Sequence, residues 1–194
     1  MLKKFVLGSM TALVLAACGG EGGSASSSVP AQTASASGSL IERINNKGTI
    51  TVGTEGTYAP FTYHDKDGKL TGYDVEVTRA VADKLGVKVE FKETQWDSMM
   101  AGLKAGRFDV VANQVGLTSP ERQATFDKSE PYSWSGAVLV ARKDSNIKSI
   151  DDIKGVKTAQ SLTSNYGEKA KAAGAELVPV DGLAQSLTLI EQKR

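Results

Sequence analysis

The sequence predicts an α/β protein of two lobes, preceded by an export signal and a tether. Three observations carry this. Short β-branched runs alternate with amphipathic segments that stop at glycine, the order from residue 49 is βαβαβ, and the pattern restarts beyond residue 142. A parallel sheet with crossover helices satisfies that order, and such open sheets bind ligands outside the carboxyl ends of their strands.

The elements follow along the chain. Lys3 and Lys4 precede an apolar run, Phe5 to Ala17, that is too short for a permanent bilayer span and ends in small residues. Cys18 is the only cysteine and His64 the only histidine, so neither a disulfide within the chain nor a nucleophilic or metal constellation can be built from them. Leu15-Ala16-Ala17-Cys18 resembles the bacterial lipobox. That resemblance implies a sulfur carrying diacylglycerol on a new N-terminus, with palmitate-like acyl chains anchoring stably at about 0.8 kcal/mol per buried methylene. An ordinary cleaved signal ending near a cysteine is the alternative. Residues 19–39 are almost all Gly, Ser, Ala, Thr and Gln, a composition that cannot offset its ordering entropy and reads as a flexible tether.

The mature chain is nearly neutral. Of 23 basic and 22 acidic residues, Lys3 and Lys4 belong to the signal, leaving 21 against 22. Nucleic acid is therefore excluded as a partner for want of a basic field.

Thr49 to Gly53 and Phe61 to His64 read as strands, with a hairpin turn at Lys66-Asp67-Gly68-Lys69. Asp74 is placed as the cap of a helix with Val77, Val81 and Leu85 on its apolar face and Gly86 as its stop. Val87 to Phe91 is a strand, Trp96 to Ala105 a helix and Phe108 to Ala112 a strand. Ser119-Pro120-Glu121-Arg122 opens a short helix, and Ser135 to Arg142 (SGAVLVAR) reads as a long apolar strand. A short helix at 149–154, a strand at 156–160, a helix at 164–173, a strand at 176–180 and a helix from Leu183 repeat the first pattern.

Three blocks in this order, "GTYAPFTYHDKDGKLTGYDVEVTRAVADKLG", "WDSMMAGLKAGRFDVV" and "TSPERQATFDKSEPYS", resemble the polar amino-acid solute-binding proteins of ABC importers, family 3 of the extracellular binding proteins. The resemblance runs from about Leu40 to the last residue. "TQWDSMM" followed by "DVVANQV" is most similar to cystine-binding members. It implies the two-lobe periplasmic-binding-protein type II fold, with lobe 1 at 40–135 and a hinge strand and partial lobe 2 at 136–194. It also implies a monomeric, lipid-anchored envelope protein that captures a free amino acid, hands it to a permease and performs no chemistry. No cofactor or metal is expected; "HDKDGKLTGYD" fails as a calcium loop because Tyr63 stands where its first acid should be. In the family an aspartate that holds the ligand's ammonium follows the helix that here ends "LIEQKR". The expectation is thus a second lobe that is incomplete, whether by fragmentation or by natural truncation.

The chemistry of an α-amino acid asks for anion donors, an acidic partner and a shaped pocket. Arg122, at a helix start, can fork both carboxylate oxygens, or else pair at the surface with Glu121 or Asp127. The resemblance favours the first, and adds Gly116 and Thr118 from the preceding loop. Ser161-Leu162-Thr163-Ser164 leads into a helix; capping alone explains it, while the resemblance places a ligand-binding threonine at Thr163, with Ser164 beside it. Tyr58 and Trp96 fall at strand ends and line the pocket, unless they pack in the core. Glu55 faces a polar ligand side chain or is a solvated loop charge. A cyclohexadienyl-type dehydratase on the same fold, with Glu55 as its acid or base, and a non-transport surface lipoprotein are the competing readings.

Overall fold

The computed structural model describes residues 38–194. The expected signal peptide, the lipidation site Cys18 and all but the last two residues of the tether lie outside the described residues. Among the described residues no helix is long and apolar enough to cross a membrane.

Ser39 opens helix α1 (Leu40–Lys47) through a capping box, its hydroxyl accepting from the Glu42 N–H while the Glu42 carboxylate accepts from the Ser39 N–H at 2.7 Å. Gly48, at φ 68°, ends it in the left-handed conformation. Strand β1 (Thr49–Thr54) follows, then a small antiparallel sheet of β2 (Thr57–Tyr58), β3 (Thr62–His64) and β4 (Leu70–Thr71). Helix α2 (Tyr73–Leu85), β5 (Lys88–Glu93), α3 (Trp96–Lys104) and β6 (Val110–Val111) complete the first half. The main sheet is parallel in the order β5-β1-β6, so the strand read first in the sequence is its centre. Ile44, Ile50, Val52 and Ala82 form the buried cluster beneath it, with Val89, Phe91 and Val110 packed against them. Gly53 is required in β1 because a Cβ there would stand 2.7 Å from the Phe108 ring.

The second βαβ unit, β7 (Lys157–Gln160), α5 (Asn165–Ala172) and β8 (Glu176–Pro179), makes a separate two-stranded parallel sheet preceded by a 3-10 turn at Ile150–Ile153 and followed by α6 (Leu183–Glu191). Residues 38–194 lie in one compact unit.

Three expectations need correction. Asp74 does not cap α2: Gly72 holds the N-cap position, and the buried Asp74 carboxylate instead accepts from the Gln114 N–H at 2.7 Å and the Gln114 side-chain amide at 2.6 Å. The buried row of α2 is Asp74, Val75, Thr78 and Ala82, while Val81 and Leu85 face outward. The attachment of Asp74 to Gln114 sets this rotation. Residues 135–142 form no strand. An apolar run reports a demand for burial, but a strand also needs a neighbour for its N–H and C=O groups, and no described strand pairs with it. Trp134 and Val138 consequently remain 82% and 85% exposed.

Gln114 adopts φ 52°, a conformation that costs a non-glycine residue energy and persists only where its surroundings enforce it. Asp74 is the enforcer. Burial raises its carboxyl above the ordinary value, against the opposing pull of the Gln114 donors and the Tyr132 hydroxyl. Ser133 completes the arrangement by donating to the Gln114 side-chain oxygen at 3.0 Å. An ionised carboxylate only accepts, whereas an amide would turn N–H groups toward donors. Asp74→Asn is therefore expected to cost about 1–3 kcal/mol despite its identical shape. A lower urea midpoint at unchanged m-value would register it.

Candidate functional site

The carboxyl ends of β1, β5 and β6 deliver three loops to one edge of the main sheet, where such sheets bind ligands. Glu55 follows β1, Trp96 and Asp97 begin the helix after β5, and residues 113–118 follow β6. Helix α4 (Pro120–Thr125) then starts with Ser119 as N-cap, its hydroxyl accepting from the Arg122 N–H, and with proline in the first turn. The Ser-Pro signal in the sequence is thus read correctly.

Arg122 forms no ion pair with Glu121 or Asp127. Its guanidinium stands 5.4 Å from the centroid of the Trp96 ring. One terminal nitrogen donates to the Gly116 carbonyl at 3.1 Å and the other to the Thr163 carbonyl at 2.7 Å. Arg122, Trp96, Gly116 and Thr163 are therefore brought together, from four separate segments. Thr118 joins them at the edge, its hydroxyl 3.5 Å from the Asn165 side-chain nitrogen. Among the described residues the buried Trp96 Nε1 has no hydrogen-bond partner.

The Ser161–Ser164 segment divides its roles. Ser164 caps α5, its hydroxyl accepting from the Tyr166 N–H at 3.2 Å. The Thr163 N–H and hydroxyl both donate to Asp97, at 2.9 and 2.8 Å, and the Leu162 N–H donates to the other Asp97 oxygen at 3.2 Å. The groups that sequence reasoning offers to an external carboxylate are held by an internal one. Asp97 was missed because an acid in the first turn of a helix normally signals nothing beyond the helix dipole.

Glu55 is placed by another unforeseen residue. Asn113, buried, accepts from the Glu55 N–H at 2.8 Å and donates to the Glu55 carboxylate at 2.7 Å. Burial pushes the Glu55 carboxyl above its ordinary value; the Asn113 bond pulls it back, and the Asp97 charge adds to the rise. Tyr58 on β2 packs its ring 5.2 Å from that of Phe61, and burial followed by the neighbouring Tyr166 and Glu55 raises its hydroxyl. Glu55 also lines a cavity of about 440 Å³ bounded by Glu93, Gln95 and the start of α6 at Asp181, Gly182 and Gln185. Three acids, Glu55, Glu93 and Asp181, face this hollow, which shares no residue with the Arg122 group. Among the described residues no cluster of His, Cys, Asp or Glu is arranged to hold a metal.

The family model of bacterial extracellular solute-binding proteins, family 3, matches residues 50–186. A probable amino-acid ABC transporter-binding protein of Haemophilus influenzae is 61% identical over 84% of this chain and 63% of its own length. The L-cystine-binding protein TcyA of Bacillus subtilis is 60% identical over 81% of this chain and 59% of its own length. The chain thus spans about three fifths of the length of these curated relatives. Among solved structures, the unliganded, open L-cystine solute receptor of Neisseria gonorrhoeae is 96% identical over 81% of this chain and 67% of its own, with a TM-score of 0.49. An ancestral amino acid-binding protein, a precursor of cyclohexadienyl dehydratase, is 34% identical over 79% of this chain and 70% of its own, with a TM-score of 0.74. The mixed α/β architecture is that of the two-lobe periplasmic amino-acid-binding proteins.

Because its folded value is raised, Glu55 binds a proton in the folded state before it does so in the unfolded chain as pH falls. Its ionisation therefore lowers stability as pH rises through that folded value. Asn113→Ala removes the bond that favours the carboxylate while leaving the burial, so the Glu55 titration is expected to move higher still. Carbon-detected NMR of the side-chain carboxyl across pH 3 to 8 reads the shift.

Proposed function

The chain belongs to the bacterial extracellular solute-binding proteins, family 3, and from that premise we propose that it is the receptor of an ABC importer for a free polar α-amino acid, with L-cystine as its ligand. One observation supports this reading above the rest. Arg122, set over the Trp96 ring and paired with no acid among the described residues, is presented at the strand ends with Gly116, Thr118 and Thr163 nearby. A guanidinium has five N–H donors and here spends one bond on each of two carbonyls, which leaves donors for a ligand carboxylate. Trp96 gives the aliphatic part of the ligand an aromatic wall, and Tyr58 is a second candidate for that wall. Glu55 in its acidic cavity suits the polar far end of a long ligand. Cystine fits such a pair of neighbouring sites because it carries an ammonium at both ends, and the names of the Bacillus relative and its homologues favour it.

Calorimetry of a full-length form of the protein against the standard amino acids and cystine tests the proposal: heat with cystine is expected, and none with any of them would end it. Arg122→Ala should weaken binding by about two orders of magnitude, roughly 3 kcal/mol, and Arg122→Lys should recover part of this because an ammonium cannot fork a carboxylate. Turnover of a prephenate-like substrate, with Glu55 as acid or base, would instead make the protein a dehydratase.

We further propose that Cys18 carries the lipid that holds the protein at the cell envelope, within delivery distance of its permease. Cys18→Ala should then leave the membrane fraction without any change in the melting temperature of the body, or accumulate as uncleaved precursor. Processing of the parent that ignores globomycin would contradict a lipid at this position.

A further inference from the structure

His64, the only histidine of the chain, ends β3 with both ring nitrogens engaged. Nδ1 stands 3.1 Å from the Gly56 carbonyl oxygen, and Nε2 stands 3.1 Å from Glu93 Oε1 at the end of β5. A carbonyl and an ionised carboxylate only accept, so the ring serves both when each nitrogen carries a hydrogen, as the imidazolium. The neutral ring has one hydrogen and turns a lone pair toward the other oxygen. Gly56 makes room for the pair, since a Cβ there would stand 2.5 Å from Glu93 Oε2 and 3.0 Å from the His64 ring. Three elements meet the ring. The end of β5 brings the charge of Glu93, the β1–β2 connection brings the Gly56 carbonyl, and β4 brings the uncharged Leu70 as cross-strand partner. Glu93 in turn lines the hollow that Glu55 and Asp181 also face, whereas His64 does not. The imidazole therefore acts on the charge of the hollow from outside it.

We propose that His64 is a positioning residue that sets ligand preference through Glu93: protonated, it neutralises one acid of the hollow and so favours a ligand whose far end carries a carboxylate as well as an ammonium. The inference rests on the reading in which this hollow takes the far end of the ligand. Charge gives the direction. With Glu55, Glu93 and Asp181 ionised and the ring neutral, the hollow presents three negative charges, and an imidazolium beside Glu93 cancels one of them. The uncancelled charge attracts a far end that is a plain ammonium. A far end of zero net charge gains little from it, because its carboxylate is repelled while its ammonium is drawn. Histidine is the side chain that ordinarily changes charge between about pH 5 and 8. Preference for the doubly charged far end over the plain ammonium therefore falls as pH rises and the ring loses its proton. The His64 and Glu93 side chains are 39% and 46% exposed, so solvent and salt keep the effect modest.

Calorimetry of a full-length form of the protein with two ligands of identical near ends reads this preference. One is L-cystine; the other is the mixed disulfide of L-cysteine with cysteamine, which keeps the far ammonium and lacks the far carboxylate. The comparison is between the parent and His64→Gln, whose amide still donates to Glu93 but never gains charge. Glu55, whose carboxyl is raised by burial, titrates in both proteins and cancels from their difference. From about pH 5.5 to about pH 7.5, the ratio of cystine affinity to mixed-disulfide affinity is expected to fall about two- to fivefold further in the parent than in the variant, and by less at high salt. An equal change in the two proteins, or a smaller fall in the parent, would overturn the proposal. NMR of the ligand-free parent supplies a second arm: the Glu93 carboxyl carbon is expected to shift in step with the His64 ring nitrogens, and its indifference to them would overturn the proposal too. No heat from the parent with either ligand would instead end the receptor reading, and the NMR arm still decides whether His64 neutralises Glu93.

Discussion

Asp74 is fully buried on the first turn of α2, yet its carboxylate does no work for its own helix. It reaches residue 114, holding that residue's backbone and side chain together in a left-handed conformation. The chain leaving β6 is thereby turned, and the residues that follow, Gly116 and Thr118, arrive at the edge of the sheet beside Arg122. A buried acid with polar donors on both oxygens is costly to disturb, because an amide sets a donor against a donor and an apolar side chain leaves both donors without an acceptor. Strain at Gln114 and burial at Asp74 are two sides of one constraint. The site's placement depends on it more than on any residue of the site.

What was legible in the sequence is what local chemistry determines. "TITVG" became the central strand because a β-branched run flanked by glycine has few other uses, and Ser119-Pro120 fixed the start of α4 through its own hydroxyl and ring. Those signals also set Arg122 beside Trp96 and Gly116. Asp74 was misread because an acid near a helix start looks the same whether it faces its own N–H groups or a residue 40 positions away. The apolar row of α2 was misplaced with it. Asp97 escaped notice for the same reason, its partners being 65 and 66 residues distant. The run at 135–142 shows the reverse error: its composition announced a strand, but composition names no partner.

The strand ends carry two chemistries that share no residue. Around Arg122 the groups are cationic, aromatic and carbonyl, which suits an anionic head held against a flat wall. Around Glu55 they are acidic and polar, and burial has already raised the Glu55 carboxyl, so an incoming cation would find a group whose charge it helps to stabilise. Asn113 ties the second region to the first, since it hangs on the same loop as Gln114 and Gly116 while gripping Glu55. Displacement of that loop would disturb both regions at once.

The two sheets differ in how much they bury, and this bears on the contacts between them. Under the main sheet, Val52, Val75 and Met99 are fully enclosed; the two-stranded sheet encloses Ile153, Ala170 and Val180, and α6 buries no residue at all. Two strands and their covering helices are a small basis for independent stability. Hydrogen bonds that reach across, from Asp97 and Arg122 to residues 162 and 163, therefore weigh more for the second sheet than for the first. Elements with few enclosed contacts are those that move at the least cost. The main sheet carries the charged side chains, and the lighter sheet faces it with the backbone groups that those side chains hold.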